Sequence, residues 1–197
     1  MFDKIIEWLF GVMARPVQTL NEIAREKPVG WALLVALGVG VLTLAANTLR
    51  GEGIEETMVE MDIFIAPLYM FIFGVIIIVV GLFVITGLLH LIAKLFGGQG
   101  GYWNLFSAYC FAEFPMIISV PVSLVSIYLG FVGTILGGLT VFGLGLWVIV
   151  LQVIALRESH GISTGASIGA YAIHFLLIIA IPVAIVITLV TAFLVSI

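Results

Sequence analysis

Residues 67–93 read PLYMFIFGVIIIVVGLFVITGLLHLIA, 27 positions without one Asp, Glu, Lys or Arg. The hydrocarbon core of a bilayer is about 30 Å thick and takes roughly 20 apolar residues as a helix, because backbone groups in lipid must pair within their own segment. This stretch is long enough to cross once, and it does not alternate as a barrel strand would. The same ruler gives an uncharged crossing at 29–49. It divides the long stretch after Asn104 at Gly130–Gly133, giving crossings at 104–129 and 134–156, and ends with 164–195. The expected fold is all-α, a polytopic bundle of five transmembrane helices over 29–197, preceded by short interfacial helices in 1–28.

The remaining composition agrees with that class. Of 197 residues, 63% are apolar and 9% charged, far from the roughly 25% charged residues of a soluble domain. Eight of the eighteen charges fall in 1–27 and six in 50–62, so only Lys94, Glu113, Arg157 and Glu158 interrupt the rest. A net charge of −4 with scattered basic residues excludes a nucleic-acid partner. The single Cys110 removes any disulfide framework. The amino terminus carries Asp3, Lys4 and Glu7 and no small-residue cleavage site follows, so it is read as mature protein.

Basic residues are retained on the cytoplasmic side. Lys4, Arg15, Arg25, Lys27, Lys94 and Arg157 fall on one side of the five crossings and Arg50 alone on the other. The amino terminus is expected in the cytoplasm of a cell, or inner, membrane, with the carboxyl terminus external or periplasmic and the acids of GEGIEETMVEMD outside. On the cytoplasmic side, Phe2, Ile5, Ile6, Leu9 and Met13 repeat at helical spacing, with Trp8 suited to the headgroup level. A second short helix is bracketed by Pro16 and Pro28. This pair serves either as an anchor for the first crossing or as a surface for partner proteins. The loop KLFGGQGGYWN, with Gly97, Gly98, Gly100 and Gly101, allows a close return of the chain. It lacks the preceding strand and Gly-Lys-Ser/Thr ending of a phosphate loop, and no cofactor motif occurs elsewhere.

Glu113 demands a physical account, because a central acid costs about 2.5–3.5 kcal/mol on insertion scales unless compensated. Nine steps inward from Asn104 place it roughly 14 Å deep. His174, ten steps from Thr164, lies at nearly the same depth. The expectation is a buried polar cluster in which Glu113 meets His174, with Gln152 and His90 nearer the cytoplasm. Structural pairing, proton or ion passage, and metal or headgroup binding all fit such a cluster, although His90 lies too shallow for a ready metal site. Pro115 and Pro121 should break the third crossing near Glu113, and Pro182 should kink the fifth. No nucleophile-and-base spacing or HExxH pair occurs, so no catalytic residue is expected. Small residues at four-residue spacing, such as Gly133 and Gly137, serve helix packing within the chain or in a homo-oligomer.

The run Leu95 to Gly101, the segment Tyr109-Cys110-Phe111-Ala112-Glu113-Phe114-Pro115, and the run Leu156 to Ser163 with Ala166, bracketed by Arg15-Pro16 and Pro28, resemble the Yip (Rab-interacting) family of integral membrane proteins in its prokaryotic branch. The resemblance covers essentially the whole chain and implies five crossings with a cytoplasmic amino terminus. Eukaryotic members act in early secretory traffic and bind prenylated Rab GTPases. This chain lacks their Asp-Leu-Tyr-Gly-Pro box, so Rab binding is not carried over. Cys110 replaces a family glycine, and Glu113 stands at a usually apolar place. The expected function is therefore a non-enzymatic protein that organises membrane or partner proteins. The alternative is a small transporter, channel or lipid- or metal-ion-handling protein built around Glu113 and His174.

Overall fold

A computed structural model describes residues 2–49 and 65–195. The acidic stretch expected outside, with Arg50, lies outside the described residues. Among those described there is no strand, and five segments are long and apolar enough to cross a membrane. The helices are α1 (Phe2–Ala14), α2 (Pro16–Glu26), α3 (Val29–Leu49), α4 (Ile65–Leu95), α5 (Tyr102–Ala112), a 3₁₀ turn (Phe114–Ile118), α6 (Ser119–Tyr128), α7 (Gly130–His160) and α8 (Thr164–Val195).

α5 is the hub. Every residue from Leu105 to Ala112 is buried, and the helix packs against α2, α3, α4 and α7. Ser107, Ala108, Cys110 and Ala112 keep its girth small enough for neighbours on all sides. In lipid such fit matters more than burial, since a helix gains no hydrophobic energy by leaving hydrocarbon. α8 is the opposite case. It packs on α4 and α7 and leaves Phe175, Leu176, Ile179 and Val183 exposed, the faces a bilayer would cover.

The third crossing is not one helix. α5 ends at Ala112, and the chain then tightens into the 3₁₀ turn that contains Pro115, whose ring and missing N–H forbid the regular ladder. Pro121 is the third residue of α6, within the first turn, where no helical N–H is needed. Pro182 lies inside an uninterrupted α8. α7 begins at Gly130 and runs to His160, longer at both ends than the span 134–156 read from the sequence. Only Leu129 separates it from α6, because Gly130 takes φ +53, and a side chain on Gly133 would stand 2.2 Å from the Ser126 carbonyl oxygen.

α1 and α2 form a hairpin folded against the bundle. Ile5, Trp8 and Val12 of α1 and Leu20, Ile23 and Ala24 of α2 are buried, and α2 packs on α5 and α7. Trp8, expected at the headgroup level, is only 3% exposed. It meets Phe111 in a T-shaped contact at 5.7 Å between ring centroids, because the Ile5, Trp8 and Val12 face of α1, and not the expected stripe through Phe2, Ile6 and Met13, turns onto the bundle. Phe2, Ile6, Phe10 and Met13 remain exposed on the other side of α1. The amide of Asn21 donates to Glu158 on α7 at 2.7 Å.

Within the hairpin, Lys4 pairs with Glu26 and, at 3.1 Å, with Glu22. Hydrogen bonds to Glu26 and then Glu22 raise the lysine above its usual range, and the bond from Lys4 holds the Glu22 carboxyl below its own. The Glu22 contribution is present above the ordinary carboxylate range and lost as pH falls through the lowered value; the Lys4 contribution disappears only as pH rises through its raised value. Amide exchange in α1, taken relative to the intrinsic rate at each pH, is therefore expected to be flat through neutral pH and to quicken in acid. The pair Glu22→Gln with Glu26→Gln should bring a small version of that quickening to pH 7. The effect stays small because exposed ion pairs are screened.

Candidate functional site

Two polar constellations lie at different depths of the bundle. The deeper one begins at Glu113, the residue that ends α5 before the 3₁₀ turn. Its Oε1 accepts from the Gln152 amide of α7 at 2.5 Å. The Gln152 Oε1 in turn accepts from the Tyr171 hydroxyl of α8. The chain of bonds has one direction. Tyr171 donates to Gln152 and Gln152 donates to Glu113, so the carboxyl is the terminal acceptor. Three helices are thereby tied at the level where one of them is broken.

The expected Glu113 partner, His174, is not bonded to it. His174 is 3% exposed and stacks at a tilt near Tyr171, 6.0 Å between centroids, while its Nδ1 has no hydrogen-bond partner among the described residues. Depth matched the two residues, but the side chain that reaches the carboxylate comes from α7. Tyr171 was missed. The available signal was its position three residues before His174, which puts both on one face of α8.

A cavity of about 360 Å³ opens on the far side of Glu113, between α3, α4 and the 3₁₀ turn. Ala36, Gly40, Thr43 and Asn47 line it from α3, and Ile78 and Leu82 from α4. The Thr43 hydroxyl oxygen is buried and has no partner among the described residues.

The second constellation lies where α4 and α7 end. His90, expected in the Glu113 cluster, instead meets His160, Nδ1 to Nε2 at 2.9 Å, and the other His160 nitrogen meets the Ser159 hydroxyl at 2.9 Å. A bond between two imidazoles needs one nitrogen to donate and the other to accept. The loop after α4 closes over this pair. The backbone N–H of Gln99 donates to the His160 carbonyl at 2.9 Å, and that of Gly98 to the Ala93 carbonyl at 2.9 Å. Gly97 takes φ +81 and Gly161 φ +66, the left-handed turns that bring both chain segments round. The two runs GGQGG and SHG are thus halves of one clasp. Of the four glycines expected to allow a close return of the chain, Gly98 and Gly100 are spent on packing, while Gly97 and Gly101 stay exposed.

Chemically, neither constellation holds a nucleophile in working position. Ser159 is buried, and its hydroxyl also donates to the Leu156 carbonyl of its own helix. Among the described residues no three His, Cys, Asp or Glu side chains gather around one point. A family model described as the Yip1 domain matches residues 10–194 of the chain. Comparison with curated proteins and with solved structures finds no match.

Proposed function

Because this chain belongs to the Yip1 domain family, we propose that it works without catalysis, as a multi-pass membrane platform holding partner proteins at its charged end. The α1–α2 hairpin carries this reading. It is seated on α5 and α7 through Trp8, Leu20 and Ile23 and tied to Glu158 through Asn21, yet Arg15, Gln18, Arg25 and Lys27 remain exposed. That tie would serve an anchor equally, so the exposed basic and polar side chains are what favour a partner surface. The clasp of GGQGG on His160 stiffens the same end, which lowers the ordering cost a partner would meet.

Six of the seven Lys and Arg residues belong to this end, so retention of basic residues in the cytoplasm puts the platform and the amino terminus there. The membrane is the cell, or inner, membrane, and the carboxyl terminus lies outside. Photoreactive residues at Gln18 and Arg25 are expected to yield the same discrete protein adduct in native membranes, and one at Leu176 on α8 is expected not to. Adducts alike at all three positions, or at none, would remove the platform reading.

A further inference from the structure

We propose that the cavity between α3, α4 and the 3₁₀ turn binds a single-chain amphiphile with a protonated amine head. The ammonium sits on Glu113 and the hydrocarbon lies along α3 and α4. Ala36, Gly40, Thr43 and Asn47 fall at i, i+4, i+7 and i+11, a single stripe on α3 that passes from small to polar and lines one wall. The opposite wall is aliphatic, from Ile78 and Leu82. A concave, mostly apolar space with a few convergent polar groups is the usual form of a small-molecule site, and about 360 Å³ lies at the lower end of such sites.

The hydrogen bonds select the head group. Gln152, which accepts from Tyr171, delivers its amide donor to one oxygen of Glu113 from the α7 and α8 side. On the cavity side the carboxyl has no basic partner and its second oxygen accepts no bond among the described residues. Thr43 lines the same space, with its own hydroxyl oxygen buried. An acyl chain from the bilayer would leave the second Glu113 oxygen unsatisfied, and a carboxylate head would add like charge. An alcohol would satisfy that acceptor without neutralising the acid. An ammonium answers both the open oxygen and the charge.

The test uses the full chain in phosphatidylcholine nanodiscs, with octylamine, 1-octanol and octanoate as probes and thermal protection as the readout. Octylamine is expected to protect at concentrations at least tenfold below 1-octanol, and octanoate not at all. Glu113→Gln should abolish the preference for the amine, since the amide keeps the shape and loses the charge. Thr43→Leu, which fills the cavity and leaves Glu113 in place, should weaken octylamine at least tenfold. Equal protection by octylamine and 1-octanol would overturn the proposal. So would an amine preference that survives Glu113→Gln, because it would place the amine at the membrane surface. Should Glu113→Gln fail to fold, an undiminished octylamine response in Thr43→Leu overturns it equally.

Discussion

Gly100→Ala is expected to destabilise the bundle more than any other alanine replacement among the loop glycines. A Cβ at Gly100 would stand 1.8 Å from the carbonyl oxygen of Ser159 and 2.7 Å from its carbonyl carbon. Both are backbone atoms at the end of α7, so no rotamer change relieves the overlap. The loop must lift, breaking the bond from Gln99 to the His160 carbonyl and uncovering the imidazole pair. Overpacking usually costs about 1–3 kcal/mol, and this contact belongs at or beyond the upper end. Two neighbours calibrate the result. Gly97→Ala meets open space but must hold φ +81, for roughly 1–2 kcal/mol. Gly81→Ala, inside α4 with nothing near, should be neutral or slightly stabilising. Thermal unfolding in detergent should rank the three in that order, and a Gly100→Ala protein as stable as Gly97→Ala would show that the clasp is not closed.

Gln152→Leu should give the second large loss. It removes the donor to Glu113 and the acceptor for Tyr171 in one step. Each buried partner left unsatisfied costs about 1–3 kcal/mol, although polar bonds between helices in a bilayer average nearer 0.6. A total of about 2–3 kcal/mol is expected, with a carboxyl group bearing most of it. Tyr171→Phe should cost less, because Gln152 then loses one bond and Glu113 keeps its own. The decisive comparison is the double variant Glu113→Leu with Gln152→Leu. Removing both ends of a buried polar pair is far less damaging than stranding one, so the double variant should be more stable than Gln152→Leu alone. Additive losses would mean that the two side chains do not depend on one another.

The legible and illegible parts of this protein divide by the range over which each is decided. The all-α class and the five membrane-length apolar helices follow from stretches such as 67–93, whose backbone bonds close inside each crossing. Glu113 was legible as a residue in need of a partner for the same local reason, namely the cost of an acid at depth. Its partner was not. Equal depth favoured His174, yet depth is only one of the coordinates that bring two side chains together. The rotation of each helix about its axis decides the rest, and the 3₁₀ turn changes that phase at Glu113. His160 was missed because its place at the end of α7 reads as a loop signal, and nothing near it in the chain announces His90, seventy residues earlier.

From the order of amino acids alone came the number of apolar helices, the place of the proline turn beside a solitary acid, and glycines where the chain must return closely. Packing in space decided that Gln152 and Tyr171 hold the acid, that two histidines meet beneath the GGQGG clasp, that Trp8 turns inward, and that a cavity remains beside Thr43. The reason is physical. Lipid and neighbouring helices are equally apolar, so the pattern along one helix says how deep each residue lies and almost nothing about which way it faces.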